Sequence, residues 1–286
     1  MSLVSFYRYN LLKIISTLNL YIILEICRNL CYNFRNNFRR NFNMENFEKT
    51  FKLPSNGLFG GPKEVTLRAM TTKEEKILLT TRDMSVFDRL IKSCCVEPKD
   101  LDTSLLHEND IMFLVFALRS ITFGDTYTQT TVCPECGFKQ DVEISISEME
   151  TNILDIDEVD EKLVCTLPVN GDTLQLKLLS TGDINRIDRL VKNRASKGKV
   201  QDPDSYNFTL KLMETIVSKN GEDFVDQDAK RHYVDTLNMR DLIVIQNTLS
   251  SIEFGLDNTV YRTCNKCNEE MEVAGVICPE FFRPTK

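Results

Sequence analysis

From about residue 64 to residue 70 the chain alternates apolar and polar side chains, as a half-buried strand does. Helical spacing follows at about 72–80 and 83–93, and Glu97-Pro98 breaks that run. Asn109 or Asp110 is placed to cap a strongly apolar helix running to about Ser120, which Phe123-Gly124 ends. Alternation returns on both sides of Cys133 and Cys136, most cleanly in DVEISI at 141–146. The acidic stretch from Glu148 to Glu161 reads as a linker or an exposed edge. Strands at about 162–168 and 172–179 face each other across Asn170-Gly171, a pair suited to a tight hairpin turn. Helices are expected at about 181–195, 204–219, 226–234 and 238–251, with an exposed loop from Ala195 to Pro203.

The pattern repeats. Shifted by 131 residues, DIMFLVFAL at 110–118 falls on DLIVIQNTL at 241–249 without a gap. The same shift lays Ser120-Ile121 on Ser251-Ile252, Phe123-Gly124 on Phe254-Gly255, and Cys133 and Cys136 on Cys264 and Cys267. At smaller offsets VTLRAMTT at 65–72 resembles LQLKLLST at 174–181, and DRLIK at 88–92 resembles DRLVK at 188–192. Each strand-like run ends in a Thr or Ser followed by an acid, Glu74 and Glu75 or Asp183, which suits a helix start. The expected fold class is α+β. Internally duplicated strand–helix–helix–CxxC hairpin units make up residues 44–147 and 162–286. Residues 148–161 link them, and the two halves form one composite domain.

Composition adds boundaries. A hydrophobic content of 42% with 27% charged residues is ordinary for a globular protein. The first 43 residues differ, with six basic residues against the single acid Glu25. Without them 29 basic and 41 acidic residues remain, a formal charge of -12, unsuited to coating a polyphosphate. The longest uncharged run in that extension, Ile14 to Leu24, falls short of the roughly 20 residues a membrane span needs. No small-residue cleavage site follows a clean apolar core, which argues against a signal peptide. An amphipathic anchor is one reading of residues 1–43. The simpler one is a non-native or disordered extension before a native start at Met44.

Ten cysteines are too few and too scattered for a secreted disulfide scaffold of this length. Two CxxC turns, Cys133/Cys136 and Cys264/Cys267, offer four thiolates in pairs, the donor set of a tetrahedral zinc site. Gly137 and Asn268, which tolerate positive φ, follow each pair and suit a knuckle. The 127 residues between Cys136 and Cys264 are a wide gap for one zinc ribbon. The duplication answers it: equivalent hairpins related by a pseudo-two-fold meet at one ion, a split zinc ribbon with one structural Zn2+ per chain. Redox chemistry would want the first Cys at a helix N-terminus, and here a β-type segment follows. Cys94, Cys95, Cys165 and Cys278 read as small buried hydrophobes.

Other chemistry is thin. His107 precedes a helix and His232 sits among charges, so both read as capping or surface residues. No Ser-His-Asp set, P-loop or HExxH occurs, and Gly60-Gly61-Pro62 is a turn without a following GK[ST]. The acids of 148–161 lack EF-hand spacing. The expectation is a chain without catalytic residues or a small-molecule substrate.

Several segments together carry a resemblance: LPSNGLFGG (53–61), VTLRAMTTKEEKIL (65–78), FDRLIKSC (87–94), the long run 106–137 ending in CPECG, and CNKC with the terminal PEFFRP (279–284). They resemble the T-even-type phage baseplate hub proteins. The resemblance implies a late protein of viral tail assembly, in the virion's tail baseplate or in the host cytoplasm during assembly. Its partners would be other baseplate hub proteins, with no enzymatic activity and no membrane contact of residues 44–286. The alternative is a zinc-ribbon factor that binds nucleic acid or acts in transcription. That role wants a basic, aromatic-interleaved hairpin face. Lys139 stands against Glu135, Asp141 and Glu143, and Arg262 and Lys266 against Glu269, Glu270 and Glu272, which is neutral to acidic.

Overall fold

A computed structural model describes residues 48–80, 85–277 and 281–282. The expectations for residues 1–43, for a start at Met44 and for Cys278 lie outside the described residues. Strands β1 (Glu48–Lys52) and β2 (Glu64–Arg68) pair antiparallel around the turn-rich segment 53–63. Val65 and Leu67 point inward, while Thr66 and Arg68 are half-buried on the other face, as the alternation predicts. Helix α1 (Thr72–Thr80) starts where the Glu74 carboxylate accepts from the Thr71 backbone N–H at 2.8 Å. Helix α2 (Ser85–Cys94) buries Leu90, Ile91 and Cys94, and β3 (Cys95–Glu97) then joins the free side of β2.

The long apolar helix is α3 (Glu108–Phe123), and its cap is neither Asn109 nor Asp110 but the histidine that reads as capping or surface. The N-cap is His107, whose Nδ1 accepts from the Asn109 N–H at 3.1 Å. Asp110 is the reciprocal partner three positions on, accepting from the His107 N–H at 2.9 Å. Imidazole supplies here the acceptor that Asn or Asp was expected to give. Strands β4 (Thr126–Val132) and β5 (Lys139–Ser145) form the first hairpin. The acidic stretch that follows is more than a tether. It contains β6 (Glu150–Asn152) and the short helix α4 (Val159–Lys162), and it buries Met149, Leu154 and Val159.

A second three-stranded antiparallel sheet follows, β7 (Val164–Thr166), β8 (Thr173–Leu176) and β9 (Ile216–Lys219), in the same spatial order as the first. Helices α5 (Thr181–Ser196) and α6 (Pro203–Thr215) lie between β8 and β9, as α1 and α2 lie between β2 and β3. Each central strand shifts register against its last partner, at Thr66/Leu67 and at Gln175/Leu176. The predicted helix over 204–219 stops at Thr215. The β-branched pair Ile216-Val217 favours the sheet, where Ile216 is fully buried. The DRLIK segment lies in α2 and DRLVK in α5, so their likeness does not mark corresponding places in the two sheets.

Helices α7 (Gln227–Asp235) and α8 (Met239–Ser250) lead to β10 (Gly255–Asp257), which pairs with β6. Strands β11 (Thr259–Thr263) and β12 (Glu270–Ala274) then form the second hairpin. The mixture of helices with small antiparallel sheets is α+β. Two apolar clusters hold it. One joins the first sheet, α2, α3 and both hairpins, with Val260, Met271 and Val273 packed among first-sheet residues. The other gathers the second sheet with residues of α6, α7 and α8. The second hairpin follows the second sheet in sequence but buries its apolar face in the core of the first.

Candidate metal centre

Each hairpin ends in a knuckle built the same way. The Cys133 N–H donates to the Phe138 carbonyl at 2.9 Å and the Gly137 N–H to the Cys133 carbonyl at 3.0 Å. The Cys264 N–H donates to the Glu269 carbonyl at 2.8 Å and the Asn268 N–H to the Cys264 carbonyl at 2.9 Å. Gly137 and Asn268 close the turns at φ 68° and 61°, the left-handed conformation their identities predict. The strand registers also correspond. Val132 pairs with Lys139 at the knuckle of one hairpin, and Thr263 with Glu270 at the other.

The knuckles bring all four predicted sulfurs together, within 4.8 Å of one another. Contacts run crosswise, Cys133 Sγ to Cys267 Sγ and Cys136 Sγ to Cys264 Sγ, both at 3.7 Å. A disulfide would need about 2.05 Å, and all four thiols are free. A tetrahedron with metal–sulfur bonds of about 2.3 Å has sulfur–sulfur edges of about 3.8 Å, so the cluster can hold a metal ion. The first Cys of each pair is buried, Cys133 and Cys264, whereas Cys136 is half-buried and Cys267 exposed. The Lys266 N–H points at Cys264 Sγ from 3.5 Å. Backbone N–H groups of Cys267 and Lys266 pull the Cys264 thiol down to about 6. The Glu269 backbone favours the Cys267 thiolate, but desolvation and hydrogen bonding to the other three thiols push that thiol up to about 12. A thiolate beside thiols is an arrangement a cation stabilises.

Two glutamines that the sequence reading passed over align the hairpins. Gln129 on β4 donates to the Ala274 carbonyl and accepts from the Val276 N–H, both at 2.9 Å. Gln140 on β5 donates to the Thr263 carbonyl at 3.2 Å and accepts from the Asn265 N–H at 2.8 Å. Both are buried, and each amide stands in for a missing strand neighbour. Arg262 adds a 2.7 Å bond to the Glu143 carbonyl and an ion pair to Glu148. Their signal in the sequence was a polar residue at an inward position of an alternating strand.

The other candidates lie elsewhere. His107 is the N-cap described above, set between the rings of Phe59 and Phe254. Burial lowers its pKa against the opposing pull of Asp110 and Glu108. His232 is exposed on α7. Cys94 and Cys165 are buried and Cys95 half-buried, and burial raises all three thiols, Cys94 to about 12. A strand, not a helix, follows each CxxC turn, so the dipole a thioredoxin-type thiol needs is missing there. Among the described residues no helix is long and apolar enough to cross a membrane.

A family model described as T4 bacteriophage base plate protein matches residues 44–283. No curated protein and no solved structure matches the chain.

Proposed function

The chain belongs to the T4 bacteriophage base plate protein family, and from that premise we propose that it is a structural or assembly protein of the baseplate's central hub, clasped by one zinc ion. The observation that carries the metal reading is the crosswise convergence of Cys133, Cys136, Cys264 and Cys267 at tetrahedral spacing. Four thiolates are a soft donor set that favours zinc over harder divalent ions. Bound there, the ion would neutralise thiolate charge and fix the two hairpins against each other, with no open position for a substrate. Its binding energy would be folding energy.

The two halves, 44–147 and 162–286, read as duplicated units joined through 148–161. Exchanging Cys133 with Cys264 and Cys136 with Cys267 turns one 3.7 Å sulfur contact into the other. The buried carboxylates of Asp110 and Asp241 each accept a backbone N–H at 2.8 Å, from Ser55 and Val169. Those donors occupy the same place in LPSNG (53–57) and LPVNG (167–171), each lying between the first two strands of its sheet. Arg68 with Glu74, and Lys177 with Asp183, repeat one ion pair at the start of α1 and of α5.

A role without catalysis follows from this reading, with other baseplate proteins as partners and the virion tail or the assembling particle as location. The alternative, a nucleic-acid-binding ribbon, is disfavoured by the hairpins' acidic neighbours Glu135, Asp141, Glu143, Glu269, Glu270 and Glu272. Complementation decides. Phage lacking this gene should yield no complete baseplates in electron micrographs, and the wild-type chain should restore them better than Cys264→Ser. Normal baseplates without the gene would sink the assembly role. A purified chain without zinc would sink the clasp.

A further inference from the structure

The chain is acidic, yet residues 186–199 carry six basic side chains and one acidic one. Part of that charge faces a cleft of about 390 Å³ between α5, α6 and α7. Exposed Leu190 and half-buried Leu210 give the cleft an apolar side. Two guanidinium groups lie near the Tyr206 ring, Arg194 at 5.5 Å and Arg231 at 5.1 Å from its centroid. Both also donate to its phenol oxygen, at 2.5 and 3.4 Å. Half-buried Lys230 lines the same space. Arg186 at its edge is paired with Asp183 and Glu214. In contrast, Arg194, Lys230 and Arg231 have no ion-pair partner among the described residues, although Asp228 also lines the cleft. Burial lowers the Lys230 pKa even with Glu214 opposing it. Arg186, Arg194, Lys230 and Arg231 outnumber the lining acids Glu214 and Asp228, so the cleft is net positive and its cations repel one another.

We propose that this cleft docks an acidic segment of another protein, its carboxylates at Arg194 and Arg231 and an apolar side chain against Leu190 and Leu210. Guanidinium forks match carboxylates in two parallel hydrogen bonds, and Tyr206 holds both forks in orientation. A lone inorganic anion would leave the apolar side uncovered. A nucleic acid would meet the chain's overall negative charge and a single ring for stacking. The proposal rests on the reading of the chain as an assembly component and adds where, and by what chemistry, a partner is held.

The test is fluorescence anisotropy on the full chain with a labelled peptide of alternating glutamate and leucine, at about 0.15 M salt. Arg194→Ser/Arg231→Ser should weaken binding about ten-fold or more. Arg194→Lys/Arg231→Lys keeps the charge but not the fork, and should lose most of the same affinity. Lys197→Ser/Lys199→Ser removes equal charge outside the cleft and should leave binding unchanged. Unaltered zinc content and circular dichroism in each variant show that the fold survives. The proposal is overturned by any of four results: no binding by the peptide, equal weakening by both serine pairs, displacement by inorganic phosphate alone, or tighter binding of single-stranded DNA. Complementation tests the assembly role separately, so failure of the peptide and failure of that role register in different measurements.

Discussion

At the scale of single residues, charge and burial set two expectations. Cys264 is fully buried beside three other sulfurs. Cys264→Ser replaces a soft ligand with a poor one and should drop zinc from about one per chain toward none, with a stability loss on the order of 3 kcal/mol or more. Mass spectrometry under native conditions and a thermal melt read both. Unchanged metal and unchanged melting would remove these four cysteines as ligands. Glu74 sets the second expectation. Burial alone would raise its pKa, but hydrogen bonds from Arg68, Ser93 and Thr71 hold it down to about 2. A folded pKa below the unfolded value near 4.5 stabilises the fold above that value, and the stability is lost as pH falls toward about 2. Glu74→Gln should therefore cost up to about 3 kcal/mol at neutral pH. It should also flatten the decline in urea midpoint between pH 5 and pH 2, and an equally steep decline in the variant would show that Glu74 is not its source.

At the scale of elements, the corner between helix and hairpin is where backbone geometry is most demanding. Gly124 caps α3 at φ 93° and ψ 176°, a region that side chains avoid. Gly255 stands after α8 at φ 115°, and a Cβ there would come 3.0 Å from Cβ of Asn109. That Asn109 donates to the Phe254 carbonyl at 2.7 Å. Gly124→Ala meets only backbone strain and should cost about 1–3 kcal/mol. Gly255→Ala adds displacement of Asn109 and should cost more, as chemical denaturation of the two variants would reveal. Equal losses would mean that the Asn109 contact carries little weight. These corners were legible in the sequence because Phe-Gly recurs at a fixed distance before each CxxC pair. The four cysteines, both knuckle residues and the hairpin strands were legible for the same reason: local spacing dictates them. What escaped notice depends on the rest of the fold. Strands β3 and β9 are four residues or fewer, set by pairing with a central strand and not by their own periodicity. Pairing of β6 with β10 lies a hundred residues away in sequence, and its strand hides in an acidic run. Gln129 and Gln140 look like ordinary polar strand residues until the second hairpin supplies backbone partners. The His107 cap was legible only in part: its place before a helix marked it as capping or surface, while Asn109 and Asp110, commoner N-cap residues, drew the expected helix start inward.

At the scale of the whole molecule, the ion would act among contacts between residues far apart in the chain. Cys133 and Cys267 meet across 134 residues, and the glutamine bridges span 123 to 147. Closing loops of that length is costly in chain entropy. The two sheets, by contrast, are held by nearer strands and by separate apolar clusters. Chelation should therefore act unevenly. Hydrogen exchange after zinc removal should rise first in β4–β5 and in β11–β12 together, because neither knuckle keeps its thiolates fixed without the other. Protection of β7–β8–β9, whose cluster contains no hairpin residue from either CxxC unit, should persist. The first sheet should respond in between, since Val260, Met271 and Val273 share its core. Restoring zinc should return protection to both hairpins in one step. Exchange that rises in only one hairpin would mean the pairs bind separately. A uniform rise across both sheets would mean that the metal supports global folding and not the joint between hairpins. The predicted order, hairpins before first sheet before second, distinguishes a shared clasp from both.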